Sequence, residues 1–204
     1  MPQAYGGTGK RLLIVGQQTF GWSSDVDKRA SDPIEWLMDN YDRFALGREY
    51  WASPFWQAAH QLNEKLNPES SAASFLWSNL IKVDQDGERP TQEVEEAVCA
   101  LRLLPTEIEI VCPDVVVFFT GPRYDDRLRA SFDLLRLVET DKTFSRVIHP
   151  ALPHHSYRTP HPKYLRLSKQ SDTLTRLADR ANQVGPQDSR LCCRGLKDLV
   201  RFTR

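Results

Sequence analysis

Three short apolar runs, Leu12-Leu13-Ile14-Val15, Phe75-Leu76-Trp77 and Val115-Val116-Val117-Phe118-Phe119, are each followed by a polar or glycine-bearing loop. Runs of this length, rich in β-branched and aromatic residues, read as strands buried on both faces. Helical patterns fill the intervals. The clearest is the i, i+3, i+4, i+7 stripe Phe55, Ala58, Ala59, Leu62, Leu66, opened by Ser53-Pro54 as N-cap and first helical residue. Asp32-Pro33-Ile34-Glu35 opens another helix, with Glu35 completing a capping box. Further helices are predicted over 91–103, 105–111, 124–138 and 171–183, with Pro105 separating the first two. Strand alternating with helix dictates the α/β class. The expectation is a three-layer αβα domain around a central, mostly parallel four-stranded sheet, with His155-Ser156-Tyr157-Arg158-Thr159 as its short, weak fourth strand.

A chain of 204 residues that is 40% hydrophobic suffices for one compact domain over 1–204. No apolar run reaches the length of about 18 residues that a membrane span needs, and the N-terminus has no apolar segment of the secretory kind. A monomer in the cytoplasm is expected. Four cysteines are too few for a disulfide framework: Cys99 and Cys112 read as core residues, and the adjacent Cys192 and Cys193 as reduced thiols. Residues 1–10, including Gly6-Gly7-Thr8-Gly9-Lys10, read as a flexible tail, because a phosphate-binding loop would follow a strand rather than precede one. Residues 20–52, rich in charge and tryptophan, read as an insertion with its own capped helix.

The net charge of zero conceals an asymmetry. Residues 151–204 carry 11 Lys and Arg against 4 Asp and Glu, which leaves 16 against 23 for residues 1–150. Four of the five histidines, His149, His154, His155 and His161, lie near this basic segment. Such a segment suits a polyanion if a motif supports it, and otherwise is a solvated face.

No Cys-x2-Cys pair, His-Glu-x-x-His helix, Gly-x-Ser-x-Gly elbow or dinucleotide Gly-x-Gly-x-x-Gly occurs, so neither zinc nor any cofactor is expected. Ligands of open α/β sheets sit beyond the carboxyl ends of the strands. The loops there offer Gly16, Gln17 and Gln18, then Asn79, then Thr120-Gly121-Pro122-Arg123, and finally His161 framed by Thr159 and Lys163. An asparagine amide can read the edge of a nucleobase, the Phe55 ring can stack on its face, and a histidine can donate to an oxygen gaining charge.

In order, these motifs resemble the uracil-DNA glycosylase superfamily over most of residues 11–166. Leu-Leu-Ile-Val-Gly16-Gln17-Gln18 resembles its water-activating motif, and Pro54-Phe55-Trp56-Gln57-Ala58-Ala59 resembles the Pro-Phe helix of the bacterial iron–sulfur branch. Phe75 through Asn79 resembles the strand that ends in a base-reading asparagine, and Arg158-Thr159-Pro160-His161-Pro162 resembles the His-Pro motif. The resemblance implies a monofunctional glycosylase that hydrolyses the N-glycosidic bond of a base flipped out of DNA, a uracil-like or modified pyrimidine, in repair or in defence against phages with modified DNA. It implies Gln17, Gln18 and His161 in catalysis and Gly16, Phe20, Phe55 and Asn79 around the base. Phe20 corresponds to the residue that excludes a C5 substituent. Arg123, Arg158, Thr159, Lys163 and Arg166 are expected against DNA, with Tyr164 or Leu165 as the wedge.

Two departures stand out. Gln18 occupies the place of the usual carboxylate and cannot take a proton; it orients water, or Asp25 or Asp27 of the insertion substitutes, or the chain is a nucleic-acid-binding module that has lost the chemistry. Cys99 corresponds to one ligand of the branch's cluster, but the paired cysteines expected upstream are missing, so no cluster is expected.

Overall fold

The computed structural model describes residues 9–21, 39, 42, 44–72, 74–170 and 172–183. Strands β1 (Leu12–Gly16), β2 (Leu76–Asn79), β3 (Val115–Phe118), β4 (Arg136–Asp141), β5 (Phe144–Ile148) and β6 (His155–Arg158) form one sheet in the order β2-β1-β3-β6-β5-β4. The first four in that order run parallel; β5 is antiparallel to β6, and β4 to β5. The described helices are α1 (Pro54–Leu66), α2 (Gln92–Ala100), α3 (Leu103–Val111), α4 (Asp125–Ser131), α5 (Pro162–Leu167) and α6 (Thr173–Asn182). None of them is long and apolar enough to cross a membrane.

Because strand side chains alternate, each central strand feeds two cores. Leu12, Ile14, Val115 and Val117 pack with Ala59, Leu62 and Leu66 of α1 and Leu177 and Ala181 of α6. Leu13, Val15, Val116 and Phe118 pack with Cys99, Leu104, Ile108 and Leu128 on the other face. The protein is thus α/β, with helices against both faces of a mixed sheet.

The four parallel strands stand where the sequence predicts them, but the sheet has six strands, not four. The helix expected over 124–138 stops at Ser131: Phe132 is extended (φ −135°, ψ 102°), Leu134 is left-handed (φ 62°), and the chain then enters β4. An apolar cluster such as Leu134-Leu135-Arg136-Leu137-Val138 satisfies either period, and pairing with β5 decides it. Pro105 does not separate helices. It lies in the first turn of α3, where its missing N–H would have no intrahelical partner, and the break falls at left-handed Arg102 (φ 51°). Cys99 is buried, whereas Cys112 is half-exposed in a left-handed position (φ 45°) at the end of α3 and is not a core residue. The fourth parallel strand is short, as expected, at four residues, and it lies inside the sheet between β3 and β5, with His155, Ser156 and Tyr157 buried. The helix opened by Asp32, the carboxylates Asp25 and Asp27, the thiols Cys192 and Cys193 and most of the tail lie outside the described residues.

The chain leaves β1 through α1 to reach β2 on one side, and returns through α2 and α3 to β3 on the other. This reversal opens a crevice at the carboxyl ends of the strands.

Candidate functional site

Backbone hydrogen bonds lace the strand ends together around this crevice. Leu80 and Ile81 donate to the carbonyls of Gly16 and Gln17, both at 2.9 Å, and Gly121 donates to Thr159 at 2.9 Å. The loops after β1, β2, β3 and β6 are therefore held in fixed relation. Between them and the N-terminus of α1 lies a cavity of about 340 Å³, lined among others by Gln17, Gln18, Phe55, Asn79 and His161. The described lining carries no Asp, Glu, Lys or Arg.

Asn79 ends β2 at 3% exposure, and its Nδ2 donor has no hydrogen-bond partner among the described residues. An unmet buried donor costs roughly 1–3 kcal/mol, which a ligand acceptor can offset. Its carbonyl side occupies the space that a side chain at Gly16 would fill: a Cβ there would stand 2.3 Å from Asn79 Oδ1 and 3.3 Å from Phe55 Cε2. Phe55 follows Pro54 in the first turn of α1, packs edge-on against Phe119 at 5.7 Å, and lies nearly parallel to the His161 ring (centroids 6.1 Å, 26°).

His161 is the N-cap of α5, and its Nδ1 accepts from the Lys163 amide at 3.2 Å. A ring nitrogen that accepts carries no proton, so the neutral imidazole bears its hydrogen on Nε2. Burial, with a smaller contribution from the Lys163 charge, lowers the imidazole pKa and keeps it neutral.

The two glutamines are anchored by opposite ends. Gln17 Nε2 donates to the Thr120 carbonyl at 2.8 Å, whereas Gln18 Oε1 accepts from the Tyr124 hydroxyl at 2.5 Å. Behind Tyr124 stands Arg89, its guanidinium 4.4 Å from the ring centroid. Arg89 and Arg127 both pair with buried Glu95, at 2.5 Å and 2.6 Å. Burial acts to raise the Glu95 carboxyl pKa, but the hydrogen bonds and charges of the two arginines outweigh it and hold the group below its ordinary range.

Other predicted site residues fall elsewhere. Phe20 does line the cavity, but it is 80% exposed, with its ring beside Gly87. Thr159 is fully buried and donates its hydroxyl to the Pro160 carbonyl, so its side chain cannot meet DNA. Leu165 is buried at 4% and is no wedge, whereas Tyr164 at 59% projects from α5. Arg158 is committed to Asp125, with Nε to Oδ1 at 3.0 Å. Arg123, Lys163 and Arg166 are exposed. Of the basic residues after 150, Arg190, Arg194, Lys197, Arg201 and Arg204 lie outside the described residues.

Several site residues escape the sequence reading. Phe44 stacks on Trp77 (5.3 Å, 24°) and on Tyr50 (5.1 Å, 21°), and Trp77 meets Trp56 edge-on at 5.0 Å. These four form an aromatic wall, and Phe44 and Tyr50 come from the segment read as an insertion; its aromatic richness was the available signal. Leu167, 70% exposed and three residues after Tyr164 on α5, is a second projecting apolar residue. A second cavity, of about 780 Å³, adjoins the first and shares Gln17 and His161 with it. Among the described residues no group of three or more His, Cys, Asp or Glu is placed to hold a metal ion. No protein-family model matches this chain, and no curated protein matches it either.

Proposed function

We propose that the protein is a DNA glycosylase-like hydrolase of three-layer αβα architecture, which takes one everted base into the 340 Å³ cavity and cleaves its N-glycosidic bond. The observation that carries the reading is the convergence of Phe55, Asn79 and His161, far apart in sequence, on one cavity whose described lining carries no charged side chain. Phe55 offers the stacking face, and the unmet Asn79 donor reads an acceptor on the base edge. As the C1′–N bond lengthens, the sugar gains oxocarbenium character and the base gains negative charge. The neutral His161 donates from Nε2 to a base oxygen where that charge collects. Lys163, Arg123 and Arg166 are the phosphate contacts, and Tyr164, aided by Leu167, fills the gap left in the duplex. Extrusion costs a few kcal/mol, least for a mispaired or modified base, so part of the selectivity precedes the pocket.

The test measures base release from duplex oligonucleotides carrying uracil, hypoxanthine or 5-hydroxymethyluracil. Asn79→Ala and His161→Ala should each reduce release by about 10² or more while leaving thermal melting near that of the wild type. Release undiminished in both variants refutes the reading. A second reading, a base-binding module without turnover, draws on the absence of any carboxylate from the described lining. It is favoured if the wild type binds these duplexes in a base-dependent way and releases nothing.

A further inference from the structure

We infer that Gln17, not Gln18, is the residue that orients the attacking water, and that Gln18 instead presents a hydrogen-bond donor to the everted base. This inference rests on the glycosylase reading and assigns roles within that same site.

Two independent observations lead to it. The first is the polarity imposed on each amide. Gln17 spends its NH2 on a backbone carbonyl, which can only accept, so its Oε1, which meets no donor among the described residues, is the acceptor it offers. Gln18 receives the Tyr124 hydroxyl on its Oε1, and the Arg89 cation over the phenol ring polarises that hydroxyl toward donation. The Gln18 NH2 is therefore the end left for a ligand. A water about to attack carbon must keep a lone pair free toward it and give its hydrogens to acceptors; Gln17 provides such an acceptor and Gln18 does not.

The second observation is the division of space. Of these two cavities Gln18 lines the smaller, with Phe55 and Asn79, whereas Gln17 and His161 border both and stand at their junction. A nucleotide whose base fills the smaller cavity places its glycosidic bond at that junction and its sugar in the larger one. Thr120 lines the larger cavity beside Gln17, is buried at 1% exposure, and has a hydroxyl oxygen with no partner among the described residues. It is a second polar group for the same water. In the reaction the C1′–N bond breaks with its electron pair on the base, and a C1′–O bond forms to the water. Gln17 Oε1 accepts a hydrogen bond and not the proton, which is released to solvent.

The experiment is single-turnover base release from whichever of the uracil, hypoxanthine and 5-hydroxymethyluracil duplexes the wild type cleaves best. Gln17→Met, which keeps the shape without the acceptor, should lose about 100-fold or more in rate at saturating enzyme, with little change in affinity for the duplex. Gln18→Met should show its loss mainly in the half-saturating concentration, and Tyr124→Phe should shift that same parameter by freeing the Gln18 amide to turn. Gln18→Glu should not accelerate release. The inference is overturned if Gln18→Glu raises the saturated rate tenfold or more, or if Gln18→Met loses that rate while Gln17→Met keeps it. If Gln17→Met melts well below the wild type, the Gln18→Glu and Tyr124→Phe results decide the matter alone. A wild type that releases no base from any of the three duplexes overturns the glycosylase reading, and this inference with it.

Discussion

The imidazole of His161 is held by a residue two positions further along the chain: the Lys163 backbone amide donates to its Nδ1 at 3.2 Å. A single local bond thus selects the tautomer that points a donor from the junction of two cavities. It also sets the pH behaviour of the site, since protonating Nδ1 would break it.

Burial and the nearby Lys163 charge lower the His161 pKa below the ordinary value of about 6.5. The folded state therefore binds this proton less readily than the unfolded chain, and the stability it supports is present at high pH and declines as pH falls through the ordinary imidazole range. His161→Asn should remove that dependence. Thermal melts of wild type and variant across this range should show the wild type losing ground to the variant on acidification; parallel curves would refute the assignment.

Gly16 has no spare room. A methyl group there would meet Asn79 Oδ1 at 2.3 Å and the Phe55 ring at 3.3 Å. Gly16→Ala should cost roughly 1–3 kcal/mol in urea denaturation and, on the proposed function, reduce base release tenfold or more, because it displaces both Asn79 and Phe55.

Glu95 is buried between Arg89 and Arg127, and Arg89 in turn caps Tyr124. Glu95→Gln should destabilise the fold by about 3 kcal/mol at neutral pH, since it leaves Arg127, only 13% exposed, without its main counter-charge. A carboxylate with a lowered pKa contributes stability above the ordinary carboxylate range and loses it as pH falls through the depressed value. The difference between wild type and variant should therefore shrink in acid, as denaturation midpoints would show.

Lys163 and Arg158 should behave in opposite ways. Lys163→Ala should weaken DNA binding on all sequences alike and flatten the dependence of log K on log salt by about one unit. Arg158 is paired with Asp125, whose carboxyl pKa burial raises and the Arg158 charge opposes. Arg158→Ala should accordingly cost about 2 kcal/mol of stability and leave the salt slope nearly unchanged. Salt titrations and melts on both variants separate the roles; an equal fall in slope would show that Arg158 reaches phosphate.

The parallel strands β1, β2, β3 and β6 and the helix α1 are legible in the sequence because hydrophobic period and local breakers determine them, and both are properties of neighbouring residues. Phe55, Asn79 and His161 stood out as polar or aromatic residues at element ends, whereas Gly16 was placed beside them only by the family resemblance. The hairpin of β4 and β5 was not, since an apolar stretch around Leu134 to Val138 suits helix and strand equally until a partner strand is present. Nor were the burial of Thr159 and Leu165, the pairing of Arg158 with Asp125, or the aromatic wall of Phe44, Tyr50, Trp56 and Trp77. Two adjacent and chemically identical side chains, Gln17 and Gln18, mark the boundary between the two kinds of information. Sequence alone determined that both stand in the loop after the first strand. Which end of each amide is engaged was decided by Thr120 and Tyr124, more than a hundred residues away, because an amide's polarity is set by the partner it meets and that partner is brought there only by the packed sheet.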